Sequence, residues 1–305
     1  MHADQLLLTA SSSESYAMLL KLLCDPGDSI VVPAPSYPLF DHLARLECVG
    51  VDRYPLMEDD GFRIDELALR ESIGSTAKAI FLVSPNNPTG SFLHEQELRC
   101  VERVAKDYGL SLVCDEVFAE YIWKDSEDRV RCAAMDAAVP TFSLGGLSKS
   151  ACMPQMKLGW IVMGGGVSDD TICRLEMIAD TYLSVSTPIQ HASAALLSCA
   201  DVARRQMSER IRVNLAVLRD AVSGTSMSLL DVHGGWYGCL RVPSVMTDEQ
   251  WAVKLVEEDG VMVHPGSYFG FSRAGVLVVG LIAPCAEFAE GICRLVEREE
   301  YTVRK

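Results

Sequence analysis

Between residue 5 and about residue 165, short apolar runs alternate with stretches in which apolar side chains recur every three to four positions. That alternation predicts strands separated by helices in a layered α/β arrangement. The strand runs fall at 5–9, 29–33, 77–84, 111–117, 141–144 and 158–163, with helices expected in the gaps. One helix is signalled by the hydroxyls of Ser11, Ser12 and Ser13 with Glu14 close behind, and it continues through Tyr16, Leu19, Leu20 and Leu23. A second covers 94–108, with Leu98, Val101 and Val104 as its apolar stripe.

Beyond residue 187 the pattern changes. Residues 187–222 read as one long helical stretch, with Cys199 as the place where a break would fall and with Arg204, Arg205, Arg210 and Arg212 on its wet face. A helix of that length bridges two domains. The remainder reads as strand (229–242), helix (248–258), strand (261–264), strand (276–282) and helix (286–299), a compact α+β unit. The expected division is a large domain at 1–203 and a small C-terminal domain with the linking helix at 204–305.

Composition supports a packed chain of that size. The 305 residues are 49% hydrophobic and 23% charged, with 22 Gly and 13 Pro, which excludes a disordered or collagen-like polymer. Twenty-seven basic against forty-two acidic side chains give a net charge of −15, a field that repels nucleic-acid phosphates and anionic lipid. Neither is an expected partner. Eleven scattered cysteines with no CxxC spacing suggest buried thiols in a reducing cytoplasm. Apolar runs such as 276–283 fall short of the ~18 residues that span a bilayer, and the N-terminus has no signal-type core.

Several motifs fail on inspection. The six histidines never sit three or four apart, so no helical metal pair exists. In Gly145-Gly146-Leu147-Ser148-Lys149-Ser150 the residue before lysine is serine where a phosphate loop requires glycine, and no GxSxG elbow occurs.

Four separated segments converge on one chemistry. Ser84-Pro85-Asn86-Asn87-Pro88-Thr89-Gly90 follows a strand run, Asp115-Glu116-Val117 ends another, Ser148-Lys149 follows a third, and the three serines open the first helix. In a parallel sheet the loops beyond the strands' carboxyl ends meet at one edge, so these residues can share a crevice. Taken with Pro33-Ala34-Pro35-Ser36-Tyr37-Pro38, the stretch 147–160, His264-Pro265-Gly266 and Phe269-Gly270, their order and spacing resemble the fold-type-I pyridoxal-phosphate enzymes of aminotransferase class I/II over nearly the whole chain.

The resemblance implies a mainly parallel central sheet sandwiched by helices, with a smaller α+β C-terminal domain. It also implies pyridoxal 5′-phosphate as cofactor and a cytoplasmic homodimer that moves an amino group from an amino acid to a 2-oxo acid. Lys149 would form the Schiff base and shuttle the proton between the substrate's Cα and the cofactor's C4′. Asp115 would keep the ring nitrogen protonated, Asn87 would donate to the 3′ oxygen, and Tyr37 would stack on the ring. Ala10, Ser11 and Ser12 at a helix N-terminus, with Ser148 and Lys157, would hold the phosphate. Capping by the serines is compatible with that role.

Five departures from the family pattern bear on function. Lys157 stands where relatives carry arginine and offers a point charge rather than a fork. Gly146 stands where a phosphate-binding serine is common, and Phe118 where many relatives place a tyrosine that donates to the 3′ oxygen. Val278 stands about where an arginine holds the substrate carboxylate, so either recognition is achieved otherwise or the substrate is unusual. Residue 9 already lies at the first strand-to-helix turn, whereas relatives carry a long segment before it. A lyase or decarboxylase of the same fold, and a truncated relative serving as a binding or dimerisation module, are the alternative readings.

Overall fold

The computed structural model describes residues 3–135 and 137–303. Its larger sheet comprises β1 (Leu6–Thr9), β2 (Ser29–Ala34), β3 (Gly50–Met57), β4 (Arg63–Ile64), β5 (Ala77–Val83), β6 (Ser111–Asp115), β7 (Thr141–Gly146) and β8 (Gly159–Gly164). They lie in the order β1-β8-β7-β6-β5-β2-β3-β4. The run β7-β6-β5-β2-β3 is parallel, while β8 is antiparallel to both its neighbours and β4 to β3. Two reversals at β8 leave β1 pointing the same way as the parallel strands. Their carboxyl ends therefore share one edge.

Both faces of this sheet are covered, which is why its strands read as near-continuous apolar runs. Helices α1 (Ser12–Leu23), α2 (Phe40–Leu46), α3 (Glu66–Glu71) and α4 (Glu95–Tyr108) follow β1, β2, β4 and β5. Tyr16 and Leu19 of α1 pack with Ile30, Phe81, Val113 and Phe142 on one face. Leu69 of α3 and Val101 of α4 pack with Val31, Ile80 and Leu112 on the other. Ser11 caps α1 by accepting the Glu14 N–H at 3.2 Å. The short α5 (Leu147–Ser150) follows β7, and α6 (Asp169–Tyr182) returns Leu175 to the core of the first face.

Helix α7 (Thr187–Val222) then runs unbroken for 36 residues, so no interruption occurs at Cys199. The reason is local: Pro188 sits in the first turn, where its missing N–H costs nothing, and no further Pro or Gly occurs before Val222. Arg205 and Arg212 are exposed as expected. Arg204 and Arg210 are half-buried instead, Arg204 reaching Glu120 at 2.9 Å and Arg210 the Ile282 carbonyl at 3.2 Å.

The second sheet is antiparallel, with β9 (Ser228–Leu229), β10 (Tyr237–Arg241), β11 (His264–Pro265) and β12 (Val276–Gly280) in the order β11-β12-β10-β9. Helices α8 (Asp248–Asp259) and α9 (Cys285–Val303) flank it. The apolar run 229–242 is thus two strands parted by a loop, because Gly234 and Gly235 break the ladder and Gly235 has φ +78°. Strands β3 and β4 carry no sequence signal: polar Asp52 and Arg53 and the central Pro55 obscure the first, and two residues are too few for the second.

The two sheets come into close contact where the loop after β5 meets the loop before β10. Gly90 adopts φ +74°, and a Cβ there would stand 2.4 Å from the Gly234 carbonyl oxygen. Gly90→Ala should therefore lower unfolding stability by more than about 2 kcal/mol in urea titration, through backbone strain and the forced separation of the loops. A change within about 0.5 kcal/mol would show that the contact is dispensable.

Candidate active site

The shared edge of the parallel strands opens onto a cavity of about 120 Å³. Ser12 from the start of α1, Tyr37 after β2, Asn87 after β5, Asp115 at the end of β6, and Ser148 and Lys149 of α5 all line it. Six of the nine residues picked from sequence are thereby brought together by topology alone. Ala10, Ser11 and Lys157 are not among the lining residues. The Ala10 N–H is taken by the Glu14 carboxylate at 2.5 Å, and Ser11 is the helix cap. Lys157 is exposed with φ +50°, while the next residue, Leu158, does line the cavity.

Asp115 is buried and held by two donors. The Tyr16 hydroxyl donates to Oδ2 at 2.6 Å and the Val117 N–H to Oδ1 at 3.0 Å. Burial pushes the carboxyl above the ordinary aspartate range, and the Tyr16 hydroxyl, the Val117 N–H and the Lys149 charge pull it back. Tyr16 is a partner of the candidate site that sequence reasoning passed over. Its helical spacing marked it as core, which it also is, stacking on Phe81 with ring centroids 5.8 Å apart.

Lys149 faces the opposite pull. Burial pushes its amine below the ordinary lysine value, and the nearby Asp115 charge, with Cys152, raises it again. Its Nζ lies 4.8 Å from the centre of the Trp236 ring and 5.9 Å from that of Phe118, which favours the ammonium form when it is present. The Tyr121 hydroxyl donates to the Lys149 carbonyl at 2.8 Å and the Ser150 hydroxyl to the Gly146 carbonyl at 2.8 Å, fixing the short helix that presents the amine. A Cβ at Gly146 would be tight, meeting the Leu158 carbonyl oxygen at 3.1 Å and the Gly159 Cα at 3.2 Å.

Asn87 is the most telling polar group. Its carboxamide oxygen is buried without a partner among the described residues, and such a group costs free energy unless something polar fills the space beside it. Tyr37 is pushed up to about 12, first by burial and then by the charges of Asp115 and Tyr237, so its phenol keeps its proton. One cavity thus combines a buried carboxylate, an amine of lowered basicity, two serine hydroxyls at a helix N-terminus and an orphan amide.

The sign of the Asp115 shift makes a prediction for the protein as it folds. Because the folded carboxyl binds its proton more tightly than the unfolded one, stability is lost as pH rises from the unfolded aspartate value of about 3.9 through the raised folded value. Asp115→Asn should abolish that loss, and Tyr16→Phe should deepen it by removing a donor to the anion. Thermal melts across pH check this, at about 2–4 °C for each kcal/mol; identical profiles for the three proteins would refute it.

Comparison with known proteins bears on the whole chain. Residues 1–283 match the family described as aminotransferase class I and II. A tyrosine aminotransferase of Dictyostelium discoideum is 24% identical over 317 residues, covering 97% of this chain and 73% of the relative. A tyrosine aminotransferase of Bos taurus is 28% identical over 310 residues, covering 95% and 68%. The crystal structure of tyrosine aminotransferase from Leishmania infantum superposes with a TM-score of 0.88 at 22% identity, over 98% of this chain and 75% of that one.

Proposed function

Because the chain belongs to the class I and II aminotransferases, a transaminase family that depends in general on pyridoxal phosphate, we propose that its cavity holds pyridoxal 5′-phosphate on Lys149 and Asp115. The residues present suit that group. Asp115 matches a cationic ring nitrogen, Tyr37 offers a ring to stack on, and the orphan Asn87 amide needs a polar neighbour. Ser12 and Ser148 with the N-terminus of α1 match a phosphate dianion. Ala10 and Ser11 shape that turn, and Lys157 supplies its charge from the rim by reorienting a long side chain. When bound, the cofactor supplies an electron-poor ring that draws charge from the substrate's Cα.

The observation that carries the reading is the pairing of one half-buried amine with one buried carboxylate in a single cavity. Lys149, made less basic by burial, has a neutral amine available to take up a proton and return it at Nζ. Asp115 stays fixed by its two donors while facing the cavity. Val83, Phe118, Leu158 and the Tyr37 ring wall the space with apolar surface, which would limit water at the reacting atoms. Residues 1–203 would then form the cofactor domain and 204–305 the small domain that closes the site.

The substrates would be amino acids and 2-oxo acids. The working unit would be a homodimer, supported by apolar side chains left exposed on and beside α6 and α7, with Met177 at 72%, Leu183 at 89% and Leu197 at 48% exposure. A cytoplasmic setting is supported by the described cysteines, which are all free thiols. No helix among the described residues is long and apolar enough to cross a membrane.

Borohydride treatment after cofactor loading should fix a label on the peptide that contains Lys149, detected by mass spectrometry. Lys149→Ala should carry no such label and lose at least about 10³-fold in transamination rate. A label elsewhere would overturn the assignment. Asp115→Asn removes the charge that raises the Lys149 amine, so its cofactor uptake should extend to lower pH than in the wild type. In a single turnover, each site should yield one 2-oxo acid and no ammonia, the amino group leaving only as a new amino acid when an acceptor 2-oxo acid is added; release of ammonia would favour the lyase alternative.

A further inference from the structure

The small sheet sends one side chain of a distinct kind into the cavity. Tyr237, the first residue of β10, pairs with Gly280 of β12 and lines the same space as Lys149 and Asp115. Two residues on, and so on the same face, buried Cys239 reaches the Pro88 carbonyl at 3.5 Å, which shows that this face is turned towards the loop bearing Asn87. Val278, opposite Cys239, is wholly buried in an apolar cluster with Cys239, Phe269 and Val276. The polar atom that β10 brings to the cavity wall is therefore the Tyr237 hydroxyl. It makes no hydrogen bond to any described residue, and its ring is braced edge-on by Phe118 at a centroid distance of 6.5 Å.

An amino-acid substrate must bring its amine to Lys149 and place an anionic carboxylate somewhere else in the cavity. Asp115 repels it. Tyr37, the other cavity phenol, lies close enough to Asp115 for that charge to raise its pKa, so its oxygen sits in the same repulsive field. Tyr237 is raised by burial, with no charge among the causes, and so stays a neutral donor. We propose that the Tyr237 hydroxyl donates the hydrogen bond that orients the carboxylate of the amino-acid substrate. This assignment rests on the cofactor reading above. It makes Tyr237 a specificity residue that recognises the carboxylate by one neutral donor rather than by a charged fork.

Tyr237→Phe in the cofactor-loaded enzyme tests it. The variant should load cofactor as the wild type does, and its KM for an amino-acid donor should rise about 10- to 100-fold, with kcat changed by less than about 3-fold. Binding of 3-phenylpropionate, an unreactive carboxylate, should weaken by a similar factor in calorimetry, while binding of the neutral 3-phenylpropanamide should not change. Unchanged carboxylate affinity, or equal losses for the acid and the amide, would overturn the role of Tyr237 and leave the cofactor assignment standing. Failure of the wild type to load cofactor at Lys149 would overturn both.

Discussion

A carboxylate sealed at the end of a buried strand costs free energy unless donors and a cation face it, and Asp115 is provided with both from distant parts of the chain. Tyr16 comes from the first helix and Val117 from the turn after the strand, while Lys149 comes from the loop after the neighbouring strand. None of these contacts could form if the strands did not end at one edge. The parallel order β7-β6-β5-β2-β3, with β8 reversed so that β1 rejoins the common direction, produces that edge. Sheet topology and site electrostatics are thus one constraint: the apolar layers on both faces hold the strands that hold the charges.

The second sheet completes the cavity rather than merely adjoining it. Trp236 and Tyr237 stand at the start of β10, and Phe118 and Tyr121 follow β6. The Phe118 and Trp236 rings lie 5.4 Å apart, and those of Tyr121 and Trp236 lie 5.2 Å apart. This aromatic cluster belongs to the same apolar core as α7, α8 and α9. The amine of Lys149 therefore rests on side chains from both sheets, and its basicity depends on their being docked. The close approach of Gly90 and Gly234 serves the same end, because it brings the Asn87 loop against the loop that leads into Trp236.

Much of this was legible in the sequence, and the remainder was hidden for definite reasons. Turn and strand-end residues such as Asn87, Asp115 and Lys149 announce themselves because their chemistry is out of place beside long apolar runs. Tyr16 gives no such sign: it lies 99 residues from Asp115 in sequence, and its spacing on α1 is that of an ordinary core residue. Tyr237 is masked likewise by lying in an apolar run that folds as two strands. The long helix was visible from end to end, but its continuity through Cys199 follows from the absence of a breaker rather than from any positive signal. Strand β3 escaped because a strand near the sheet edge tolerates the polar and proline residues that blur its period.

At three positions where the family pattern would lead one to expect a polar atom, the surroundings are closely packed. Phe118 lies edge-on against Trp236, a Cβ at Gly146 would be tight against Leu158 and Gly159, and Val278 is enclosed by Cys239 and Phe269. The junction of the two sheets is therefore apolar at these positions. Among the described lining residues the sole cation is Lys149, in a chain of net charge −15. An anionic group entering the cavity would favour the ammonium form of Lys149, whereas under the proposed role proton transfer at that nitrogen would require the neutral form. Under that role binding and chemistry would pull the same proton in opposite directions, and burial, which lowers the basicity of Lys149, would shift the balance towards the neutral amine.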